Sequence, residues 1–494
     1  MRATRVTTGR ALVSCAAAAL LLAALPLACR TRPAVPPPPD VAAGGGGPVA
    51  EGTTVDIDCG GTKQPVTVGT ELPRLPTFQR VITLDSLQCD FDVFSWNSFL
   101  ALSHGLDGAF GDRGGDNVTT WEVWPNEGDL FRPGGAEPPE WRAGHPPPRT
   151  PVPAVCEGKG RPGDRVLTQI GKQPLLVEAA LEPFESGPLI DVHGRYARFG
   201  ITMNQPFYQY VRDHGLYSRA GQQAFAAGGG RVEFPCGCDP DPSGASCPPD
   251  GQQGAIMVKA SWKVLDTAAG DDPSRFHTTQ ALVVTPATES EPETCERQLL
   301  GLVGLHVVTK TQTEPQWVWS TFEQVDNVPE RGAEEAAGRY NFFLPGCTDC
   351  NAVNEPPPQP WDPHLQPVRA NSGKSQVVRQ IPIPQGSVEI NEAVRPLLAG
   401  TVWQHYELIS TQWPTEGPGQ GEPSAASGWC VPLNPVDESG APAPAFLGNS
   451  TLETYIQGTV PQASSSCINC HLNATLAVGQ QSFSDFTYLL ERAQ

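Results

Sequence analysis

Leu299-Leu300-Gly301-Leu302-Val303-Gly304-Leu305-His306-Val307-Val308-Thr309-Lys310 is a run of apolar and β-branched residues, followed after a short gap by Gln316-Trp317-Val318-Trp319-Ser320-Thr321-Phe322. Branched and aromatic side chains fit a pleated, half-buried surface, so two neighbouring strands are predicted. Working outward, residues 255–265 and 279–284, then 196–203 upstream, and 377–383 and 401–412 downstream read the same way. Trp121-Glu122-Val123-Trp124 reads as a short strand. Helical spacing is confined to a few segments. Asp90 can cap a helix carrying Phe91, Phe94, Trp96, Phe99 and Leu102, and Asn204 one carrying Phe207, Tyr210, Val211 and His214. Asn449-Ser450-Thr451 can cap a third, with Leu452, Tyr455 and Ile456. With 51 glycines and 52 prolines, many short strands and long loops are favoured over a helical bundle. The expected fold is α+β, two-layered, with a largely antiparallel sheet, a few short helices and long Pro/Gly-rich loops.

Around this body lie segments of other character. Arg2, Arg5 and Arg10 precede an apolar run over residues 11–25 and then Pro26-Leu27-Ala28-Cys29, the layout of a secretory signal. The small residue before Cys29 resembles a bacterial lipoprotein box, which makes Cys29 the expected lipidation site, with Pro26 departing from the usual Leu. Residues 1–29 are therefore read as an export signal. Residues 30–71, with Pro36 to Pro39 and Gly44 to Gly47, are read as a disordered tether. Residues 72–494 form the expected single body, with loop insertions near 133–162, 235–253 and 417–444. The expected location is the periplasm, or the outer membrane through a lipid anchor alone. A net charge of −20 argues against nucleic acid and for a basic protein partner met by electrostatic steering.

Near the end of the body stands Cys467-Ile468-Asn469-Cys470-His471. This is the spacing of covalent c-type haem attachment: two thiols add to the vinyl groups, and the adjacent imidazole meets one face of the iron. A structural disulfide beside a His and half of a zinc site are the plainer readings. Setting aside Cys15, Cys29, Cys467 and Cys470 leaves ten of the 14 cysteines, an even number that in an oxidising compartment reads as disulfides. Cys236, Cys238 and Cys247 suggest a stapled loop. Cys347 and Cys350 share the haem-like spacing, but Asn351 stands where the His is needed. A zinc site shared with the other Cys pair is the weaker reading there.

One haem c is thus expected, on Cys467 and Cys470, with His471 as proximal ligand. The tail from Leu472 to Gln494 contains no Met, His or Cys. The second axial ligand must come from upstream, unlike the small helical cytochromes c. After signal removal the methionines are Met203 and Met257, both also reading as core. His306 lies between glycines that would let a flat macrocycle approach, against the alternative of a hydrogen-bonded core histidine. His306 or Met203 is the expected distal residue. Trp317, Trp319 and Tyr406 are possible haem walls, though at strand spacing they also read as core.

The body resembles a group of large bacterial proteins identified only as cytochrome c family proteins with one C-terminal haem motif. The resembling stretches are 94–102, 301–310, 316–329 and 453–457, together with Cys467 to His471. Gln324 stands where that group commonly has His. The resemblance implies haem binding and electron transfer and no established reaction. A weaker resemblance links Cys467 to His471 and the following Asp485-Phe486 to the hydroxylamine-oxidising monohaem cytochromes and their gas-binding relatives, which are sheet-based. Electron transfer is the leading expectation. A haem enzyme or gas or peroxide binder with an open iron, ligand-bonded through His306 or Gln324, is the alternative, and a disulfide-stapled surface binding protein the third.

Overall fold

The computed structural model describes residues 49–494 except 79–82, 107, 109, 112–117, 143–145, 148, 150–151, 162–163, 171–186, 289, 335–338, 359–360, 368–372, 416–421, 432–440 and 460–461. The export signal and Cys29 lie outside the described residues. Among the described residues no helix is long and apolar enough to cross a membrane.

The chain is α+β. Its strands are β1 (Thr54–Asp58), β2 (Lys63–Thr67), β3 (Arg165–Leu167), β4 (Arg198–Met203), β5 (Ile256–Val264), β6 (Thr278–Thr285), β7 (Thr294–Thr309), β8 (Val318–Gln324), β9 (Tyr406–Pro414), β10 (Pro442–Ala443), β11 (Thr475–Leu476) and β12 (Gly479–Phe483). Its α-helices are α1 (Leu84–Leu102), α2 (Glu127–Leu130), α3 (Gln205–Asp213), α4 (Arg219–Ala227), α5 (Gln385–Leu398) and α6 (Cys467–His471). The main sheet has eight strands, running β10-β9-β8-β7-β5-β4, with β6 on the first half of β7 and β3 beside β6. Only the β3–β6 pair is parallel. The long apolar run with which the sequence reading began is the central strand, β7. It is buried on both faces along its second half, which is why that half lacks polar alternation.

Helix α1 covers one face of the sheet. Ser95 bonds Ser320 and Thr411, each at 2.6 Å, while Phe91 stacks on Trp413 at 4.7 Å and Phe99 on Phe322 at 4.4 Å. Each buried aromatic ring contributes about 1.5–3 kcal/mol. The helix begins before Asp90. Thr83 and Ser86 close a capping box, and Asp90 lies inside the helix, taking a hydrogen bond from Gln64. Helix α5, which lacks a side-chain cap at its start, packs beside α1. Its Asn391 accepts from Trp96 Nε1 at 3.1 Å and bonds the Leu408 backbone.

Several sequence expectations need correction. Residues 49–69 are not a disordered tether. β1 and β2 form a hairpin closed by Gly60 and Gly61, both at positive φ, and Cys59–Cys89 ties it to α1. The alternation of Ile57, Val66 and Val68 inward drives that folding, and the preceding Pro/Gly composition masked it. Thr120–Val123 is a 3₁₀ turn whose Glu122 caps Thr119, not a strand. Residues 377–383 make one isolated bridge at Arg379 instead of a strand. After Asn449 the chain makes successive turns and not a helix, although the Asn449 side chain accepts from Thr451 N and Leu452 N as a helix cap does. The Asn204 cap stands: its side chain accepts from Phe207 N at 3.3 Å.

All ten remaining cysteines pair, as Cys59–Cys89, Cys156–Cys295, Cys236–Cys430, Cys238–Cys247 and Cys347–Cys350. The 238–247 link staples the expected loop.

Candidate functional site

On the face of the sheet away from α1, two rows of residues run across neighbouring strands. One is Met203, Met257, Val308, Trp319 and Gln412; the other is Ile201, Lys259, His306, Thr321 and Ser410. Side chains two apart on a strand share a face. Ile201, Met257, Lys259, His306, Val308 and Trp319 therefore form one wall of a cavity with an empty volume of about 1110 Å³, its open mouth included. The opposite side is built from Ser465–Ser466, Cys467, Cys470, His471 and the Thr487–Leu489 tail, with Glu453, Gln169 and Arg492 at the margins.

The short helix α6 presents the Cys-x-x-Cys-His residues. Ser466 caps it, and Gln412 holds its start, its Oε1 accepting from Ile468 N at 2.9 Å and Ser466 Oγ at 3.2 Å. Gln412 Nε2 donates to Pro444 O at 2.7 Å, so this fully buried amide makes three bonds. One turn of helix puts Cys467, Cys470 and His471 against the same cavity. Cys467 and Cys470 are not joined in a disulfide. The His471 ring lies 4.5 Å from that of Trp319 and 5.2 Å, edge-on, from Tyr488, whose hydroxyl bonds Cys470 O at 2.9 Å.

His471 Nδ1 is 2.8 Å from the carbonyl oxygen of Phe486. A carbonyl only accepts, so Nδ1 carries a proton, which in the neutral imidazole leaves the lone pair on Nε2. This is the tautomer a metal-ligating imidazole requires. The donor set, two thiols and an oriented imidazole on one cavity wall, fits a covalently held haem. Lys259 and Arg492 on the same cavity supply cationic groups for its carboxylates.

His306 lines the cavity, with both ring nitrogens engaged: Nδ1 with Thr321 Oγ1 at 2.9 Å and Nε2 with Glu453 at 3.1 Å. Glu453 is held in turn. Its carboxylate accepts from Asn449 N at 2.9 Å, and the neighbouring Ser450 bonds Glu323 through its amide and hydroxyl. Arg379 pairs with Glu323 at 3.0 Å and Glu330 at 2.8 Å. Burial alone would lower the Arg379 guanidinium, but Glu323, Glu330 and Glu407 hold it above its ordinary value. Burial raises Glu407 itself to about 7. Thr321, His306 and Glu453 stand in the order of a hydrolytic triad. Thr321 is fully buried and not part of the cavity wall, so no substrate carbonyl reaches it.

The expected residues separate accordingly. Cys467, Cys470, His471, His306 and Trp319 share the cavity; Met203 and Gln324 do not. Met203 occupies the Met257 row one strand further out, wholly buried in the main core. Gln324 bonds Asp326, Asn341 and Arg275 O away from the site. The glycines beside His306 serve other neighbours. A Cβ on Gly304 would stand 2.2 Å from Thr451 Oγ1 and one on Gly301 2.8 Å from Phe276, so the backbone there meets protein. Lys259, Glu453, Gln412 and Arg492 escaped sequence reasoning. For Lys259 and Gln412 the one signal, strand register relative to His306, needs the pairing to be known, and Glu453 and Arg492 lie outside the strands. No family model, curated protein or solved structure matches the chain.

Proposed function

We propose that the chain is an exported monohaem c-type cytochrome acting in electron transfer, with one haem joined to Cys467 and Cys470 and His471 as the proximal iron ligand. The observation that carries this reading is the His471 imidazole, tautomer set by the Phe486 carbonyl at 2.8 Å, on the cavity wall that also holds both motif cysteines. Haem supplies the one-electron couple, and the protein tunes it through axial ligand, hydrogen bonding and burial. Trp319 and Tyr488 fix the imidazole plane, and Lys259 and Arg492 would be the cationic groups to pair with the carboxylates of a bound haem. Met203 lies outside the cavity, while the two candidates that line it are each engaged: Met257 Sδ accepts from Thr487 Oγ1 at 3.2 Å, and Thr321 and Glu453 hold the nitrogens of His306. A second axial ligand drawn from this cavity would be Met257 or His306, either one giving up its present bond.

The signal over residues 1–29, with Cys29 as lipidated terminus, supports export and a lipid anchor, the compartment in which c-type haem is attached. Five disulfides accord with an oxidising compartment. The resemblance to the single-motif bacterial cytochrome c proteins points the same way. A net charge of −20 favours a basic redox partner over nucleic acid.

A second reading is an open iron, at which the His306–Glu453 pair hydrogen-bonds a small ligand such as peroxide or a diatomic gas. The polar commitment of His306 favours it. Absorption spectra of protein matured with c-type haem machinery, oxidised, reduced and reduced under carbon monoxide, decide between them. A low-spin spectrum indifferent to carbon monoxide supports electron transfer, and a high-spin spectrum that shifts supports the open site. A protein carrying no covalent haem under denaturing conditions overturns both.

A further inference from the structure

His471 donates its orienting bond to a backbone carbonyl in an uncommon place. Asp485 and Phe486 both stand in the left-handed region, at φ 53° and 62°, where non-glycine residues persist only when their surroundings hold them. Those surroundings converge on Asp485. Its carboxylate takes a hydrogen bond from Lys310 Nζ, one from Phe234 N at 2.8 Å and one from Trp317 Nε1 at 3.3 Å. Trp317 Nε1 also reaches the Asp485 carbonyl oxygen, at 3.1 Å. Lys310 and Asp485 are buried, at 1% and 5% exposure. Lys310 is itself immobile, sitting one residue past β7 with its amide bonded to Ala255 O and its carbonyl to Gly237 N. A buried lysine and aspartate are costly to desolvate unless matched to each other and to further donors, and this pair is matched against the turn behind His471.

We propose that Lys310 and Asp485 are positioning residues for the proximal histidine. Through the 485–486 turn they hold the Phe486 carbonyl on His471 Nδ1 and so set the donor strength of the imidazole. The inference rests on the haem reading above. An imidazole whose second nitrogen donates to a carbonyl is the more basic ligand, and a more basic ligand favours oxidised iron, lowering the reduction potential.

The test is the midpoint potential of the matured protein, by spectroelectrochemistry, in Lys310→Met and Asp485→Asn. A positioning role makes both substitutions raise the potential, because both slacken the Nδ1 bond. A direct field effect moves them oppositely, since loss of a buried cation lowers the potential and loss of an anion raises it. A fall in Lys310→Met, or no change in either, overturns the proposal. Lys310→Arg, which keeps the donor, restores the wild-type value. Where Lys310→Met does not mature, Trp317→Phe removes a single donor, and a smaller rise is expected; an unchanged potential there also overturns the proposal. The wild-type protein gives a variant-free check by proton NMR. The His471 Nδ1 proton exchanges slowly with solvent if the turn is held, and exchange as fast as an exposed imidazole overturns the inference. A wild-type chain without covalent haem instead overturns the haem reading, and the same proton still reports on the turn.

Discussion

Replacing Gln412 by Ala tests how the motif helix is held to the sheet. The wild-type amide is fully buried and makes three hydrogen bonds: from Ile468 N, from Ser466 Oγ and to Pro444 O. Each contributes a net of about 1 kcal/mol, and the buried Ile468 amide, left without its acceptor, costs about 1–3 kcal/mol more than a paired one. Ser466 still caps Asn469 N, at 3.4 Å, so the helix start is not stripped bare. The expected loss is about 4–6 kcal/mol. It is concentrated at residues 466–471, whose segment borders the cavity on one side and β9 on the other. Denaturant unfolding measures the total, and hydrogen exchange at Ile468 and Cys470 locates it. In protein matured for haem, the yield of covalent attachment should fall, since both thiols ride on that helix. A variant within about 1 kcal/mol of wild type, with unchanged exchange at Ile468, would refute the claim that Gln412 anchors the motif.

Met257→Leu is close to volume-conserving and so costs less than about 1.5 kcal/mol; a low-spin spectrum that turns high-spin and carbon-monoxide-sensitive in this variant assigns Met257 as the second axial ligand. The same change in His306→Gln assigns His306 instead, and a change in neither excludes both. Asp92 is wholly buried between α1, Ser387 of α5 and Thr411 of β9, and burial raises its carboxyl to about 6 despite the bonds from Ser387, Thr411 and Gln88. A folded pKa above the unfolded 3.8 makes its contribution most favourable below about pH 4 and progressively lost up to pH 6. Asp92→Asn should therefore stabilise the protein by up to about 3 kcal/mol at pH 8, at about 1.4 kcal/mol per unit, and by little at pH 4. Urea unfolding at the two pH values measures it, and a less stable variant at pH 8 contradicts it. Glu122 behaves oppositely. Burial would raise it, but His277 at 2.8 Å and Arg165 at 3.6 Å bring it down to about 2 from 4.5. Its stabilisation is complete above pH 4.5 and lost as pH falls toward 2, so Glu122→Gln should cost about 3–5 kcal/mol at pH 7 by leaving the buried Arg165 guanidinium without its carboxylate. Chemical denaturation at pH 7 checks this, a loss under about 1 kcal/mol being the contrary result.

The elements legible in the sequence are those whose pattern is local. The run through His306 became the central strand, the Asn204 cap holds its helix, and even parity of the remaining cysteines translated into complete pairing. The motif at 467–471 was also local, since two thiols and an imidazole within one helical turn need no distant partner to share a face. One error arose where a polar side chain chose between two bonding modes: Glu122 folds back on Thr119, so that a strand-like Trp-Glu-Val-Trp becomes a 3₁₀ turn. Asn449 makes the cap bonds expected of it, yet only turns follow.

Sequence alone thus determined the fold class, the disulfide count and the donor set of the site. Only tertiary structure decided which methionine faces that site, that His306 is held by Glu453, and that Gln412 and the Phe486 carbonyl orient the motif. These facts depend on strand register, and a shift of one residue turns every side chain to the other face. Register across β4, β5 and β7 is set by pairings such as Met203 with Met257 and Met257 with Val308, each over fifty residues apart in the chain, which no local pattern encodes; only the β7–β8 pairing of Val308 with Trp319 is close in sequence.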